Sequence, residues 1–145
     1  YYDRGRKNRE LDQKIGSQSV SIRKLLTSSD FISLHVPLTR ETRHLIGKPE
    51  LEAMKKTVVL INTSRGPVVD EKVLAWALKN RVIFAAGLDV FEFEPKISPE
   101  LLRLDNLVMT PHTASATVEA RDGMAELAAK NIIAVLEGKE PLNPV

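Results

Sequence analysis

Four consecutive apolar residues, Val58 to Ile61, stand between polar turn formers and predict a strand that is buried on both faces of a sheet. The chain continues through Asn62-Thr63-Ser64, whose short polar side chains are expected to satisfy unpaired backbone groups, and then presents one cation, Arg65, beside Gly66. In open α/β sheets, ligands bind beyond the carboxyl ends of the strands, and a guanidinium there suits bidentate binding of a carboxylate. The alternative is that Arg65 pairs with a nearby acid in a surface loop.

Segments with strand patterns alternate with segments of helical spacing along the chain. Strands are predicted at residues 30–36, 58–61, 83–90 and 107–110, and helices at residues 7–15, 22–26, 49–54, 71–78 and 117–137. This alternation predicts an α/β fold with a Rossmann-like parallel sheet flanked by helices. In the last helix, apolar residues recur on one face and predict core packing; they are Met124, Leu127, Ala128, Ile132, Val135 and Leu136.

The start of the chain indicates an incomplete dinucleotide fold. No G-x-G-x-x-G motif occurs, and the chain opens at Tyr1-Tyr2-Asp3 as though at the tail of a strand. We therefore expect a fragment whose first βα unit is missing, with the pyrophosphate site upstream or absent. An acid after the second strand of such a fold binds the adenosine ribose, which is one interpretation of Asp3; a plain turn aspartate is the other. Three cations that follow could instead hold a 2′-phosphate or form a solvated charge run: Arg4, Arg6 and Lys7.

Composition limits the classes of function. At 145 residues the chain suits one domain, and the net charge of +2 does not indicate a nucleic-acid or membrane partner. Without cysteine, neither a disulfide nor a thiolate metal site can form. No apolar run approaches the ~20 residues that a membrane helix needs. These features predict a cytoplasmic protein.

Three polar residues each follow a different predicted strand, so a parallel sheet could bring them together. Arg65 would hold a carboxylate, and His112 would exchange a proton near neutral pH. Glu92 or Glu94 would favour the protonated imidazole, and spacing alone does not choose between them. Together they suit reduction of a 2-keto acid by a nicotinamide cofactor. The alternatives are an ordinary loop histidine and, for Asp89, a residue that caps a turn.

Four ordered motifs carry a resemblance to a known family. They are His35–Thr39 (HVPLT), Ile61–Asp70 (INTSRGPVVD), Gly87–Pro95 (GLDVFEFEP) and Thr110–His112 (TPH). In this order and spacing they resemble the nucleotide-binding domain of the D-isomer-specific 2-hydroxyacid dehydrogenases, over essentially the whole chain. The segment Thr113-Ala114-Ser115 departs from the Ile-Gly-Ser that many members carry.

The resemblance implies a role for individual residues. It places the family's substrate-binding arginine on Arg65, its acid on Glu94 rather than Glu92, and its proton-donating histidine on His112. It implies NAD as the cofactor, with NADP left open. The implied cofactor contacts are Asp3, Val36, Pro37, Thr42, Thr63, Ser64, Asp89 and Ser115.

The resemblance also implies a function for the whole protein. Residues 1–145 would be part of an NAD(P)-binding domain, and a separate substrate domain would lie outside this chain. The substrate would be a small 2-keto or 2-hydroxy acid, with glyoxylate or hydroxypyruvate reductase preferred and phosphoglycerate dehydrogenase next. The alternative is a corepressor on the same scaffold, like the C-terminal-binding proteins. We expect a homodimer, and we expect this chain alone neither to bind cofactor tightly nor to turn over.

Overall fold

The central feature of the computed structural model, which describes residues 1–3 and 9–144, is a four-stranded parallel sheet. The strands are β1 (Phe31–Leu34), β2 (Val59–Asn62), β3 (Ala85–Leu88) and β4 (Leu107–Met109), and they lie side by side in chain order. Because all four run in parallel, their carboxyl ends share one edge of the sheet. The predicted α/β fold is confirmed, although the outer strands and β3 pair over fewer residues than predicted.

The described residues form five α-helices: α1 (Arg9–Ile15), α2 (Ile22–Ser28), α3 (Lys48–Ala53), α4 (Glu71–Lys79) and α5 (Val118–Leu136). Short 3₁₀ turns also occur at Gly66–Val68 and Leu101–Arg103. Among the described residues, no helix combines the length and the apolar character that crossing a bilayer requires. The chain divides into two compact units, Tyr1–Pro111 and His112–Val145. The first unit contains the whole sheet.

Side-chain caps set the starts of the helices. The hydroxyl of Ser21 accepts a hydrogen bond from the amide of Lys24 at 3.3 Å, and Asp70 Oδ1 accepts one from the amide of Val73 at 3.1 Å. These bonds satisfy amide groups that have no partner within the first turn of a helix. Ser21 and Asp70 are therefore the N-caps of α2 and α4. Gly16 ends α1 in the left-handed conformation, with φ of 66°.

The core lies on one face of the sheet. Ile32, Leu60 and Ala86 occupy the same register on neighbouring strands, and all three are buried. They belong to one apolar cluster with residues of the first unit's helices, including Leu74 and Leu78 of α4. Apolar side chains at these positions explain why the helices pack on this face.

The opposite face of the sheet is open within the first unit. Phe31 is 72% exposed and Val108 is 71% exposed, while Val59 and Ile61 of β2 are only half-buried. The prediction that this strand is buried on both faces is therefore wrong for the described residues. An apolar side chain favours burial, but it is buried only where another element of the structure covers it.

Two further sequence predictions are wrong. Tyr1 and Tyr2 are not part of a strand, although the Tyr1 carbonyl accepts a hydrogen bond from the Val20 amide at 2.9 Å and the Tyr1 terminal amine donates one to the Gln18 carbonyl at 2.7 Å. On α5, the apolar face predicted to form core is exposed, with Met124 at 55% and Leu136 at 80%. The second unit consists mainly of this single helix, and the short C-terminal segment that lies against it, including Pro141 and Pro144, leaves the face exposed.

Replacing Asp70 with Ala is expected to lower the free energy of unfolding by about 1 kcal/mol, because the Val73 amide loses its partner. D70N is the matched control, since an asparagine oxygen can still accept that bond, and we expect it to stay within a few tenths of a kcal/mol of wild type. Urea unfolding measures both variants. Equal losses for D70A and D70N would show that the cap is not what Asp70 contributes.

Candidate active site

The loop after β2 is held in shape by the buried side chain of Asn62. Its Oδ1 accepts hydrogen bonds from both the amide and the hydroxyl of Ser64, at 3.1 and 2.9 Å. Its Nδ2 donates to the Arg65 carbonyl at 3.0 Å. Three hydrogen bonds from one side chain that is 1% exposed define the path of residues 62–65. Arg65 therefore leaves the sheet at a defined position.

Arg65 offers an exposed guanidinium at this edge of the sheet. Its Nη1 donates to the carbonyl of Ser64 at 2.6 Å, which orients the side chain along its own loop. Within the part of the chain that the structure describes, Arg65 forms no ion pair with a carboxylate. The alternative prediction of a surface ion pair is therefore not supported. Arg65 Nη1 is bonded to the Ser64 carbonyl, but no described residue binds Nε or Nη2, so these donors remain available to an anionic ligand.

Gly66 brings the loop after β2 against the loop after β3. A Cβ atom at position 66 would overlap with the carbonyl group of Phe91 and crowd the amide of Glu92. Gly66 and Phe91 are both buried. The absence of a side chain at residue 66 is thus what allows these two backbones to touch, and it places Arg65 next to the segment that carries the predicted acid.

The two candidate acids, Glu92 and Glu94, occupy different environments in residues 91–98, which we call the acid loop. The carboxylate of Glu92 is 7% exposed and accepts hydrogen bonds from Arg43 Nη2 at 2.9 Å and His44 Nε2 at 2.8 Å. Glu94 is exposed, and its Oε1 accepts a hydrogen bond from the amide of Phe91 at 2.8 Å. Glu92 is therefore engaged in a structural ion pair, whereas Glu94 lies at the surface.

Asp89 joins the carboxyl ends of three strands. Its amide donates to the carbonyl of Asn62 at 3.0 Å, and its Oδ1 accepts a hydrogen bond from the hydroxyl of Thr110 at 2.5 Å. The side chain is 4% exposed. The structure therefore gives Asp89 a role in linking β2, β3 and the end of β4. Its predicted contact with the nicotinamide stays a prediction.

A cavity of about 590 Å³ beside β1 brings together four predicted cofactor contacts: Asp3, Val36, Pro37 and Thr42. Apolar side chains such as Ile22 and Leu25 form part of its wall. The Thr42 hydroxyl donates to the Pro37 carbonyl at 2.6 Å and accepts from the Thr39 amide at 2.7 Å, so it also shapes the loop. An apolar cleft with a few polar groups is the usual form of a nucleotide or small-molecule site.

Among the described residues of the first unit, the remaining predicted site residues do not line this cavity. Thr63 is exposed and Ser64 is buried in the loop before Arg65. His112 and Ser115 are exposed in the second unit, where His112 has φ of 54°. The meeting of His112 with Arg65 and Glu94 stays a prediction. The alternative phosphate contacts lie outside the described residues; they are Arg4, Arg6 and Lys7.

Sequence reasoning missed one residue that shapes this edge. The expectation that Asn62 satisfies backbone groups after β2 is confirmed, but nothing was assigned to Glu71, which is 4% exposed and contacts the acid loop. An acid in the first turn of a helix is ordinary, so the sequence around Glu71 carries no signal of that contact.

The comparison of the chain with known families decides its membership. Residues 1–114 match the family described as D-isomer specific 2-hydroxyacid dehydrogenase, NAD binding domain. The chain belongs to this family. It is 57% identical over its whole length to a glyoxylate reductase of Thermococcus litoralis and 52% identical to one of Korarchaeum cryptofilum. It spans 44% of the length of each of these relatives.

Solved structures of family members have the same fold. A glyoxylate reductase from Paecilomyes thermophila superposes with a TM-score of 0.94 at 39% identity, and covers 100% of this chain with 44% of its own. The holo form of Rhodotorula graminis D-mandelate dehydrogenase superposes with a TM-score of 0.95 at 36% identity. The match covers 100% of this chain and 43% of that protein. An NADPH-dependent glyoxylate/hydroxypyruvate reductase from Sinorhizobium meliloti, in complex with NADP and malonate, superposes with a TM-score of 0.91 at 35% identity. The match covers 100% of this chain and 44% of that protein.

The cavity beside β1 fits the adenosine end of a nicotinamide dinucleotide. Apolar side chains can contact a base, and a carboxylate such as that of Asp3 accepts hydrogen bonds from ribose hydroxyls. A carboxylate also repels a 2′-phosphate, so preference for NAD over NADP stays a prediction that depends on Asp3. Residues that would hold the pyrophosphate through a glycine-rich turn do not occur in this sequence.

Replacing Gly66 with Ala is expected to lower the free energy of unfolding by about 3 kcal/mol, because the new methyl group overlaps with the Phe91 backbone. G87A is the matched control: a Cβ there meets only Ile61 Cγ1, at 4.0 Å, and we expect a change below about 1 kcal/mol. Urea unfolding compares the two. Similar losses for G66A and G87A would contradict the close approach of the two loops.

Proposed function

We propose that this chain forms the larger part of the cofactor domain of an NAD(P)-dependent reductase that converts glyoxylate or hydroxypyruvate to the corresponding 2-hydroxy acid. The observation that carries the proposal is the exposed guanidinium of Arg65, which has no carboxylate partner among the described residues and lies beside the acid loop. The 57% identity to a glyoxylate reductase favours the smallest 2-keto acid as the substrate.

Arg65 would bind the substrate carboxylate through two parallel hydrogen bonds. Such a fork fixes the plane of the adjacent carbonyl group and stabilises negative charge as it grows on the carbonyl oxygen. The loop geometry supports this role, since Asn62 and Ser64 hold the arginine where the strand ends. A defined position is what an orienting residue requires, because a shift of about 1 Å can cost about 100-fold in rate.

The remaining catalytic roles fall to Glu94 and His112. The reduced nicotinamide, when bound, supplies a hydride to the carbonyl carbon, and the His112 imidazolium donates a proton to the carbonyl oxygen. The products are the 2-hydroxy acid, oxidised cofactor and neutral imidazole, so atoms and charge balance. Glu94 would be the acid that assists His112 in this proton transfer. The environment of Glu92 favours this choice, because its carboxylate is already paired with Arg43.

The complete active site would need a second domain, which we place in the remainder of a longer protein. A cleft between two domains excludes water and strengthens every electrostatic contact with the substrate. Homodimer formation and a cytoplasmic location stay predictions. Preference for a phosphorylated substrate would instead indicate phosphoglycerate dehydrogenase, and absence of turnover with intact NADH binding would indicate the corepressor class.

Replacing Arg65 with Lys in the full-length protein is expected to lower kcat/KM for glyoxylate about 100-fold, because a point charge cannot reproduce a bidentate fork. The measurement is NADH oxidation in the presence of glyoxylate, hydroxypyruvate and 3-carbon phosphorylated acids. R81K is the matched control, since Arg81 pairs with Asp105 at an exposed site. Near-normal kcat/KM for R65K would exclude Arg65 from substrate binding.

Replacing Asp3 with Asn is expected to lower the ratio of kcat/KM for NADH to that for NADPH by about 10-fold, because the charged acceptor for the ribose and the repulsion of a 2′-phosphate are both lost. D30N serves as the control, since Asp30 pairs with Lys55 outside the cavity. The ratio is measured at fixed substrate in the full-length protein. An unchanged ratio in D3N would mean that Asp3 does not select the cofactor.

A further inference from the structure

We propose that Glu71 is a positioning residue for catalysis: its buried carboxylate binds two separate backbone amides of the acid loop and thereby holds Glu94 in its working orientation. This inference rests on the proposed role of Glu94. Glu71 itself touches neither substrate nor cofactor in the proposal. It acts through the backbone of residues 91–98.

The contacts of Glu71 join the two ends of the acid loop. Its Oε2 accepts a hydrogen bond from the amide of Glu92 at 2.9 Å, and its Oε1 accepts one from the amide of Ser98 at 3.1 Å. Each carboxylate oxygen therefore serves a different end of the loop. Binding of both ends by one rigid group limits the conformations available to the residues between them.

The burial of Glu71 shows that this contact is specific. The side chain is 4% exposed, and a carboxylate taken out of water is costly unless hydrogen bonds replace its hydration. Two amide donors supply that replacement, and hydrogen bonds to a charged acceptor are stronger than neutral ones. Glu71 also begins α4, where the helix dipole favours a negative charge. The two hydrogen bonds that replace its hydration therefore exist only while the acid loop keeps its position.

A short path leads from Glu71 to Glu94. The Glu92 amide that Glu71 holds belongs to the peptide group between Phe91 and Glu92. The amide of Phe91 donates to Glu94 Oε1 at 2.8 Å, so the orientation of the catalytic candidate depends directly on where Phe91 lies. The Phe91 carbonyl in turn lies against Gly66, beside Arg65. Displacement of the Phe91–Glu92 peptide would therefore disturb the acid and its approach to the arginine together.

The acid loop has a second attachment, through the side chain of Glu92. The side chain of Glu92 binds Arg43 and His44, which follow β1, while its amide binds Glu71. Loss of Glu71 alone would loosen the loop without detaching it. We therefore expect a folded variant with a misplaced Glu94 rather than an unfolded protein.

The test compares four variants of the full-length protein in glyoxylate reduction: E71Q, E71D, E94Q and E50Q. E71Q turns an amide NH₂ toward one loop amide, and E71D is one methylene too short to reach both. E50Q is the matched control, because Glu50 Oε2 also accepts a hydrogen bond from a backbone amide, that of Gly47 at 3.0 Å, away from the acid loop. Thermal unfolding of each variant establishes the folded fraction.

The decisive measurement is the pH dependence of kcat/KM. Reduction consumes a proton, so kcat/KM falls toward high pH, where the proton donor of the reaction is no longer protonated, and a carboxylate that assists the donor extends activity to higher pH. E94Q should move this alkaline limb to lower pH, and E71Q and E71D should move it in the same direction. We also expect E71Q to lose about 10-fold in kcat/KM at pH 8. E50Q should leave the limb in place.

The outcomes separate this inference from the proposed function. A merely structural role for Glu71 would lower the folded fraction and the amplitude of the profile without moving its limb, and would overturn the inference. If the alkaline limb of the pH profile moves in E94Q but in neither E71Q nor E71D, the inference is also overturned. If E94Q itself leaves the limb unchanged, the proposed role of Glu94 is wrong, and the positioning role of Glu71 is excluded with it.

Discussion

The close approach between Gly66 and the Phe91 carbonyl is the constraint on which the rest of this edge of the sheet depends. It requires that two loops, one after β2 and one after β3, meet backbone to backbone, which no side chain at residue 66 would permit. The parallel register that pairs Leu60 with Ala86 brings the ends of those strands level. As a result, an arginine and an acid loop that are distant in sequence become neighbours without any direct bond between their side chains.

Buried polar side chains complete this arrangement, and each of them serves the backbone of a loop. Asn62 holds its own loop, Asp89 binds Thr110 at the end of β4, and Glu71 binds the acid loop. Among the described residues, no buried side-chain nitrogen or oxygen lacks a hydrogen-bond partner. Burial of such groups costs free energy that apolar packing would not cost. The result is that these loops have defined positions. A site that orients a small substrate requires such positions.

Much of the fold could be predicted from local patterns. The strands follow from short apolar runs, and the starts of α2 and α4 follow from Ser21 and Asp70, because capping acts over three residues and is visible in the sequence. Apart from the strand expected at Tyr1 and Tyr2, the predictions that were wrong concern coverage: the second face of β2 is only half-buried, and the apolar face of α5 is exposed. Periodicity shows which side chains favour burial, but a covering element comes from elsewhere in the chain or from another molecule.

The sequence by itself determined the fold class, the order of the strand-end motifs and the identity of Arg65, Glu94 and His112 as candidates, since short-range spacing and family motifs carry that information. Spacing did not distinguish Glu92 from Glu94; their different environments became visible only in the tertiary structure, where Arg43 and His44 bind Glu92. The contacts of Glu71 with the acid loop likewise became visible only in the tertiary structure. Its partners lie 21 and 27 residues away, and packing of α4 against the sheet, rather than any local preference, brings them together.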